Sequence, residues 1–188
     1  MNNILVSDVF GKTSSLMRLA EQLKVNTIVE PYNSMDMGFS DEAEAYAHFI
    51  EHVGFDGYLA KLLKTIELTS SKITLIGFSV GASAIWRMSE KLAANNVNRA
   101  ICFYGSQIRN FKDINPQFNI ELVFPKTEPH FDVSALAAEL VNKQHVTTRR
   151  VDYLHGFMNS CSNNYHPKGY AEQVNLLCSK LYRHDSAL

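Results

Sequence analysis

The sequence predicts a three-layer α/β/α sandwich built on a mostly parallel six-stranded sheet, in a single domain over residues 1–188. Three observations predict it. Strand-like and helix-like patterns alternate from end to end, which is the mark of βα units stacked on one sheet. Several strand-like runs are continuously apolar, as strands buried on both faces are. No linker, repeat or low-complexity stretch interrupts the 188 residues, a length that suits one domain of roughly 100–200 residues.

Ile4-Leu5-Val6-Ser7 is the first strand and Asp8 to Thr13 the loop after it. Ser14 to Leu23 is amphipathic, with Leu16, Leu19, Ala20 and Leu23 on one face. Thr27 to Glu30 is a second strand, stopped by Pro31. Ser40 is a candidate N-cap, and Asp41, Glu42 and Glu44 suit the positive end of a helix running to His52, with Gly54 as its stop. Asp56 to Glu67 continues as a helix with Leu59, Leu62, Leu63 and Ile66 as its stripe. Lys72 to Ile76 is the third strand, followed by a helix from Val80 to Ala94 that Asn95 and Asn96 end. Arg99 to Tyr104 and Asn119 to Phe124 are strands four and five, the latter closed by Pro125. Asp132 can cap a helix over Val133 to Val141, Val146 to Val151 is strand six, and Pro167 to Tyr182 is the last helix. Right-handed crossovers place helices on both sides of such a sheet.

A net charge of −1 favours neither nucleic acid nor an anionic membrane surface. No apolar run approaches the ~20 residues of a membrane span, and the N-terminal residues lack the pattern of a signal peptide. The three cysteines, Cys102, Cys161 and Cys178, form no Cys-x-x-Cys spacing. These features predict a cytoplasmic protein with reduced thiols, no metal site and no cofactor.

Gly77-Phe78-Ser79-Val80-Gly81 lies between strand three and its helix. Strand, Gly-x-Ser-x-Gly and helix make the context of a nucleophile elbow, where a sharp turn projects the serine hydroxyl from the sheet. Ser79 then needs a base from another loop on the same sheet edge, and His155, just after strand six, is the candidate. A carboxylate must orient that histidine. Glu128 and Asp132 both follow strand five. Glu128 is favoured because it is nearer the strand end, whereas Asp132 has a ready role as a helix cap. The order Ser79, Glu128, His155 is the nucleophile–acid–histidine order of α/β-hydrolases. An oxyanion needs two backbone N–H donors, each contributing ~2.7–4 kcal/mol to the transition state. One is Val80, at the start of its helix; the other comes from Val9 or Phe10, after strand one.

These residues resemble the dienelactone hydrolase family of α/β-hydrolases over nearly the whole chain. Asp8-Val9-Phe10-Gly11 is similar to the family's acidic-apolar-Phe-Gly signature, which implies Val9 as the first oxyanion donor. Gly77 to Ala82 resembles the family elbow, and Phe103-Tyr104-Gly105 the aromatic-Tyr-Gly that ends the next strand. Pro125-Lys126-Thr127-Glu128 occupies the Gly-x-x-Asp acid site, and His155-Gly156-Phe157 resembles the family's His-x-Phe. Serine stands where dienelactone-type members have cysteine, Glu128 where they have aspartate, and Asn159 where some hold a substrate carboxylate with arginine. The chain starts at what resembles the family's third strand. The resemblance therefore implies a minimal α/β-hydrolase fold without the N-terminal antiparallel strands, whose exposed edge favours a homodimer.

Other residues have plainer readings. His48 and His52 are four apart, but Phe49 stands where a zincin needs glutamate, so a helix face is the expectation. Cys161 has no elbow around it and reads as a loop thiol. His130 reads as surface or supporting, and Trp86 as packing of its helix on the sheet. Phe157, Tyr165 and the stretch from Asn33 to Phe39, with Met35 and Met37, are candidate pocket residues. The expectation is a serine hydrolase for a small ester or related acyl substrate, with a thioesterase or small peptidase as rivals. A binding protein of the same fold without catalysis is the alternative from another class.

Overall fold

The structure is a computed structural model describing residues 2–33, 37–91 and 96–182. Its elements run β1 (Asn2–Val6), α1 (Ser14–Gln22), β2 (Thr27–Val29), α2 (Glu42–His52), α3 (Gly54–Glu67), β3 (Ile73–Phe78), α4 (Val80–Met88), β4 (Val97–Phe103), β5 (Asn119–Phe124), α5 (Val133–Leu140), β6 (Val146–Arg150) and α6 (Pro167–Tyr182). The six strands form one sheet in the order β2-β1-β3-β4-β5-β6, and every pair is parallel. The expected architecture is thus observed, with a sheet that is wholly parallel.

Side-chain alternation along the strands sends apolar groups to two separate cores. Ile4, Val6, Leu75, Cys102, Leu122 and Phe124 face the layer of α2, α3, α4 and α5. Leu5, Ile76, Phe78, Ile101, Phe103 and Val123 face α1 and α6. Trp86 of α4 is fully buried in the first core and donates its indole N–H to the Phe111 carbonyl at 2.8 Å. Among the described residues no helix is long and apolar enough to cross a membrane, and all three cysteines are free.

The strand order matters for function. From β1 the chain crosses outward to β2, then back over β1 to β3. Loops leaving β1 and β3 therefore diverge and open a crevice beyond their carboxyl ends, the usual ligand position in parallel α/β sheets.

Several local expectations are corrected. The cap of α2 is Asp41, which accepts the Glu44 amide at 2.9 Å, while Ser40 bonds the Glu44 side chain through its own N–H and hydroxyl. Gly54 follows Val53, the C-cap of α2, with a left-handed φ of 64, as expected of the glycine that stops that helix, and α3 starts at the same residue. Strand β4 begins earlier than Arg99 and ends at Phe103, because Tyr104 turns to φ 40. Helix α4 ends at Met88, with Ser89 capping it through the Trp86 carbonyl. The helix expected to run to Ala94 is already non-helical from Ser89 to Lys91, and residues 92–95, like Met35, lie outside the described residues.

Candidate active site

Ser79 sits between β3 and α4 at φ 50, ψ −112, a conformation unfavourable for any residue with a side chain. The turn is held by the Ser79 amide on the Phe103 carbonyl and by the Ser83 amide on the Ser79 carbonyl, each 3.0 Å. Its two glycines are steric necessities. A Cβ on Gly77 would stand 2.5 Å from Cδ1 of Ile85 and 2.9 Å from the Ala82 nitrogen. A Cβ on Gly81 would stand 2.4 Å from the Ser7 carbonyl oxygen and 2.5 Å from that of Val6. The helix therefore packs directly on the backbone of β1.

The expected partners converge on Ser79. Nε2 of His155 lies 3.0 Å from Ser79 Oγ, and Nδ1 lies 2.7 Å from Glu128 Oε1. Past their last paired residues, β5 and β6 stay joined through the Val151 amide on Phe124 and the Lys126 amide on Tyr153. Arg150 adds a bond to the Lys126 carbonyl at 2.9 Å. These contacts fix the Glu128 loop against the His155 loop. Gly156 turns the latter at φ 83, and Asn164 donates to the His155 carbonyl at 2.9 Å. The Tyr104 ring packs on the imidazole at 4.9 Å between centroids. Asp132 does not reach the histidine; it accepts the Ser134 and Ala135 amides as the cap of α5.

The loop after β1 is organised by its acid. Asp8 accepts the Phe10 amide at 3.0 Å and the Asn159 side-chain amide at 2.7 Å. The Val9 carbonyl accepts from the Tyr32 hydroxyl at 2.7 Å. Phe10 thus has its amide engaged, whereas among the described residues no acceptor takes the Val9 amide. Val9 lines a narrow recess together with Ser79 and His155, and Val80 lines the wider cleft with them. Asn159, in place of an arginine, spends its amide on Asp8 and its oxygen on the Cys161 amide.

Charges around the imidazole oppose its burial. Burial pulls the His155 pKa down, but the Glu128 hydrogen bond and the charges of Glu128, Glu42 and Asp8 outweigh it and leave the pKa raised. Asp8 is pushed up to about 6, chiefly by burial, with its bonds to Asn159 and Phe10 acting in the opposite direction.

The cleft has a volume of about 650 Å³ and is walled by α2 (Glu42, Tyr46), by the turn after β4 (Ser106, Gln107, Arg109) and by the Glu128 and His155 loops. Sequence reading missed Glu42 as a site residue, because an acid in the first turn of a helix has an ordinary dipole role. Its Oε1 lies 3.7 Å from Nε2 of His155. His130 and Leu154 line the cleft, whereas Phe157 is fully buried in the second core and Tyr165 packs on Tyr170. Cys161 is exposed and lines neither recess. His48 and His52 stack on each other at 4.0 Å, and among the described residues no cluster of acids, histidines and cysteines could hold a metal.

A sequence profile described as the Dienelactone hydrolase family matches residues 33–184. The uncharacterized protein YczH of Bacillus subtilis (strain 168) is 30% identical over 164 residues, spanning 83% of this chain and 80% of its own. Dienelactone hydrolase from Anabaena variabilis ATCC 29413 superposes with a TM-score of 0.67 at 14% identity, covering 98% of this chain and 86% of that one. The dienelactone hydrolase-like promiscuous phosphotriesterase P91 from metagenomic libraries gives 0.66 at 14% identity, with 97% and 86% covered. Est1E from Butyrivibrio proteoclasticus gives 0.59 at 9% identity, with 98% and 88% covered. At such identities these structural likenesses speak for the fold.

Proposed function

The chain belongs to the dienelactone hydrolase family and is a hydrolase of the α/β type, and from that premise we propose that it cleaves a carboxylic ester or related acyl compound through Ser79, His155 and Glu128. The observation that carries this reading is the continuous hydrogen-bonded line from Ser79 Oγ through both nitrogens of His155 to Glu128.

The chemistry follows from the roles these groups can take. Ser79 Oγ attacks the carbonyl carbon while its proton passes to Nε2 of His155. The carbonyl oxygen becomes an oxyanion and accepts the Val9 and Val80 amides, the second with the added field of the α4 N-terminus. Collapse expels the alcohol, which takes the proton back from Nε2. Water then gives its proton to Nε2 and attacks the acyl-serine, and Ser79 leaves as the hydroxyl. Glu128 accepts a hydrogen bond from Nδ1–H throughout, remaining a carboxylate that holds the useful tautomer and balances the imidazolium. Serine is a weaker nucleophile than cysteine at neutral pH, so this base is indispensable. Asn159 is occupied by Asp8 and Cys161, which favours substrates that need no carboxylate clamp at that position.

The test is covalent labelling with a fluorophosphonate, read by mass spectrometry. The wild-type protein acquires one adduct, on Ser79, and folded Ser79→Ala acquires none. Equal labelling of both proteins, or of neither, overturns the reading.

A further inference from the structure

Glu42 is the one cleft residue whose place near the reacting atoms the mechanism leaves unused. Its Oε1 stands 3.7 Å from Nε2 of His155, its side chain is 42% exposed, and among the described residues no lysine or arginine pairs with it. Nε2 is also the atom that must protonate the departing alcohol, whose oxygen comes within about 3 Å of it. Glu42 is therefore no more than about 7 Å from the leaving oxygen, given its 3.7 Å to Nε2. One helical turn further along α2, Tyr46 lines the same cleft, as residues four apart on a helix share a face. The residue is 39% exposed, and its ring stacks on no other aromatic ring among the described residues.

A carboxylate and an aromatic ring lining one cleft are the chemistry that recognises an ammonium group, through charge and ring quadrupole together. The electrostatic setting agrees. Asp8, Glu42 and Glu128 all act on His155. The arginine of the cleft, Arg109, is tied to the Ser106 carbonyl at 2.6 Å and lies over the Phe131 ring at 5.4 Å. We propose that Glu42 and Tyr46 form a leaving-group subsite for a cationic alcohol, so that preferred substrates are esters whose alcohol carries an ammonium group two carbons from the scissile oxygen; this rests on the Ser79 hydrolase reading. An ammonium at that spacing falls between the leaving oxygen and Glu42. Quaternary ammonium, which has no N–H to donate, gains most from the ring and from charge.

Two measurements test it. The first is kcat/KM for a choline ester against its carbon isostere, in which tert-butyl replaces trimethylammonium. The wild-type protein prefers the choline ester about tenfold, and the ratio falls to about one in Glu42→Gln and by a smaller factor in Tyr46→Leu. A wild-type ratio at or below one, or the same ratio in both folded variants, overturns the proposal. The second is an NMR titration with choline chloride, which needs no turnover. Saturable shifts in the wild-type protein, weakened about tenfold in Glu42→Gln, support the subsite; no saturable binding to the wild-type protein overturns it. Should neither ester be turned over and Ser79 resist fluorophosphonate, the hydrolase reading falls while the titration still decides the subsite.

Discussion

Glu128 meets Nδ1 of His155 at 2.7 Å with its own side chain only 5% exposed, although a second carboxylate, Asp132, follows four residues later. The two acids have separate occupations, and substitution separates them. Glu128→Gln is expected to lower kcat on the order of 10³–10⁴-fold, because the imidazole loses its tautomer control and its counter-charge. Asp132→Ala is expected to keep kcat and to lose about 1 kcal/mol of stability, a drop of about 2–4 °C in Tm, through loss of the α5 cap. Steady-state kinetics and thermal melts of both variants decide; loss of turnover in Asp132→Ala alone reverses the assignment.

The pH profile has a definite direction. His155 must be neutral to accept the Ser79 proton, and its pKa is raised above the usual 6.5 because the Glu128 bond and nearby carboxylates outweigh burial. The acid limb of kcat/KM is therefore expected above pH 6.5 in the wild-type protein and at lower pH in Glu128→Gln. In stability terms the same pairing is fully present below 6.5 and is lost as pH rises through the raised value. A limb that stays in place in the variant contradicts the cause given.

Asp8 titrates in the same sense for a different reason. Its folded pKa is raised from 3.8 to about 6, mainly by burial. A raised value means the protonated form suits the fold, so its stability is fully present below 3.8 and is lost as pH rises through about 6. The full swing is on the order of 3 kcal/mol. Melting temperatures between pH 4 and pH 7.5 are expected to show a decline in the wild-type protein that is shallower in Asp8→Asn. Equal slopes contradict it.

Ser79 carries its backbone cost whether or not it reacts. At φ 50, ψ −112 a glycine is more at ease than any L side chain. Ser79→Gly is therefore expected to exceed Ser79→Ala in unfolding free energy by about 1 kcal/mol, even after the entropy that glycine adds to the unfolded chain. Both lack turnover. Denaturant titration of the pair measures the difference, and a more stable alanine variant denies the strain.

Much of this was readable from residue order. Six strands, their parallel arrangement and the meeting of Ser79, Glu128 and His155 follow from apolar runs, the glycine-flanked serine and the rule that loops after parallel strands share one edge. Glu128 was separable from Asp132 because it lies nearer the strand end and only Asp132 has a helix directly after it to cap. What escaped depended on angles that sequence patterns do not carry. Glu42 reads as a helix acid until α2 is tilted over the cleft and its carboxylate comes to 3.7 Å from His155. Phe157 reads as a pocket aromatic, yet the turn at Gly156 sends its ring inward against Phe103 and Tyr104. Asn159 reads as a missing arginine, and its bond to Asp8 joins loops 151 residues apart in the chain.

That bond has a consequence for when the protein becomes reactive. Asp8 and Val9 are made before Ser79, whereas Glu128, His155 and Asn159 follow it by 49 to 80 residues. Domains are synthesised at about 5–20 residues per second, so a nascent chain spends several seconds with its serine exposed and neither base nor clasp in place. Ser79 is inert through that interval, since a free hydroxyl is a poor nucleophile. The Asp8–Val9 loop, held meanwhile by the Tyr32 hydroxyl, likewise lacks its second clasp until Asn159 arrives. On the proposed reading, Ser79 acquires its base and acid only once residues 49 to 76 positions further along the chain have been made and folded against it.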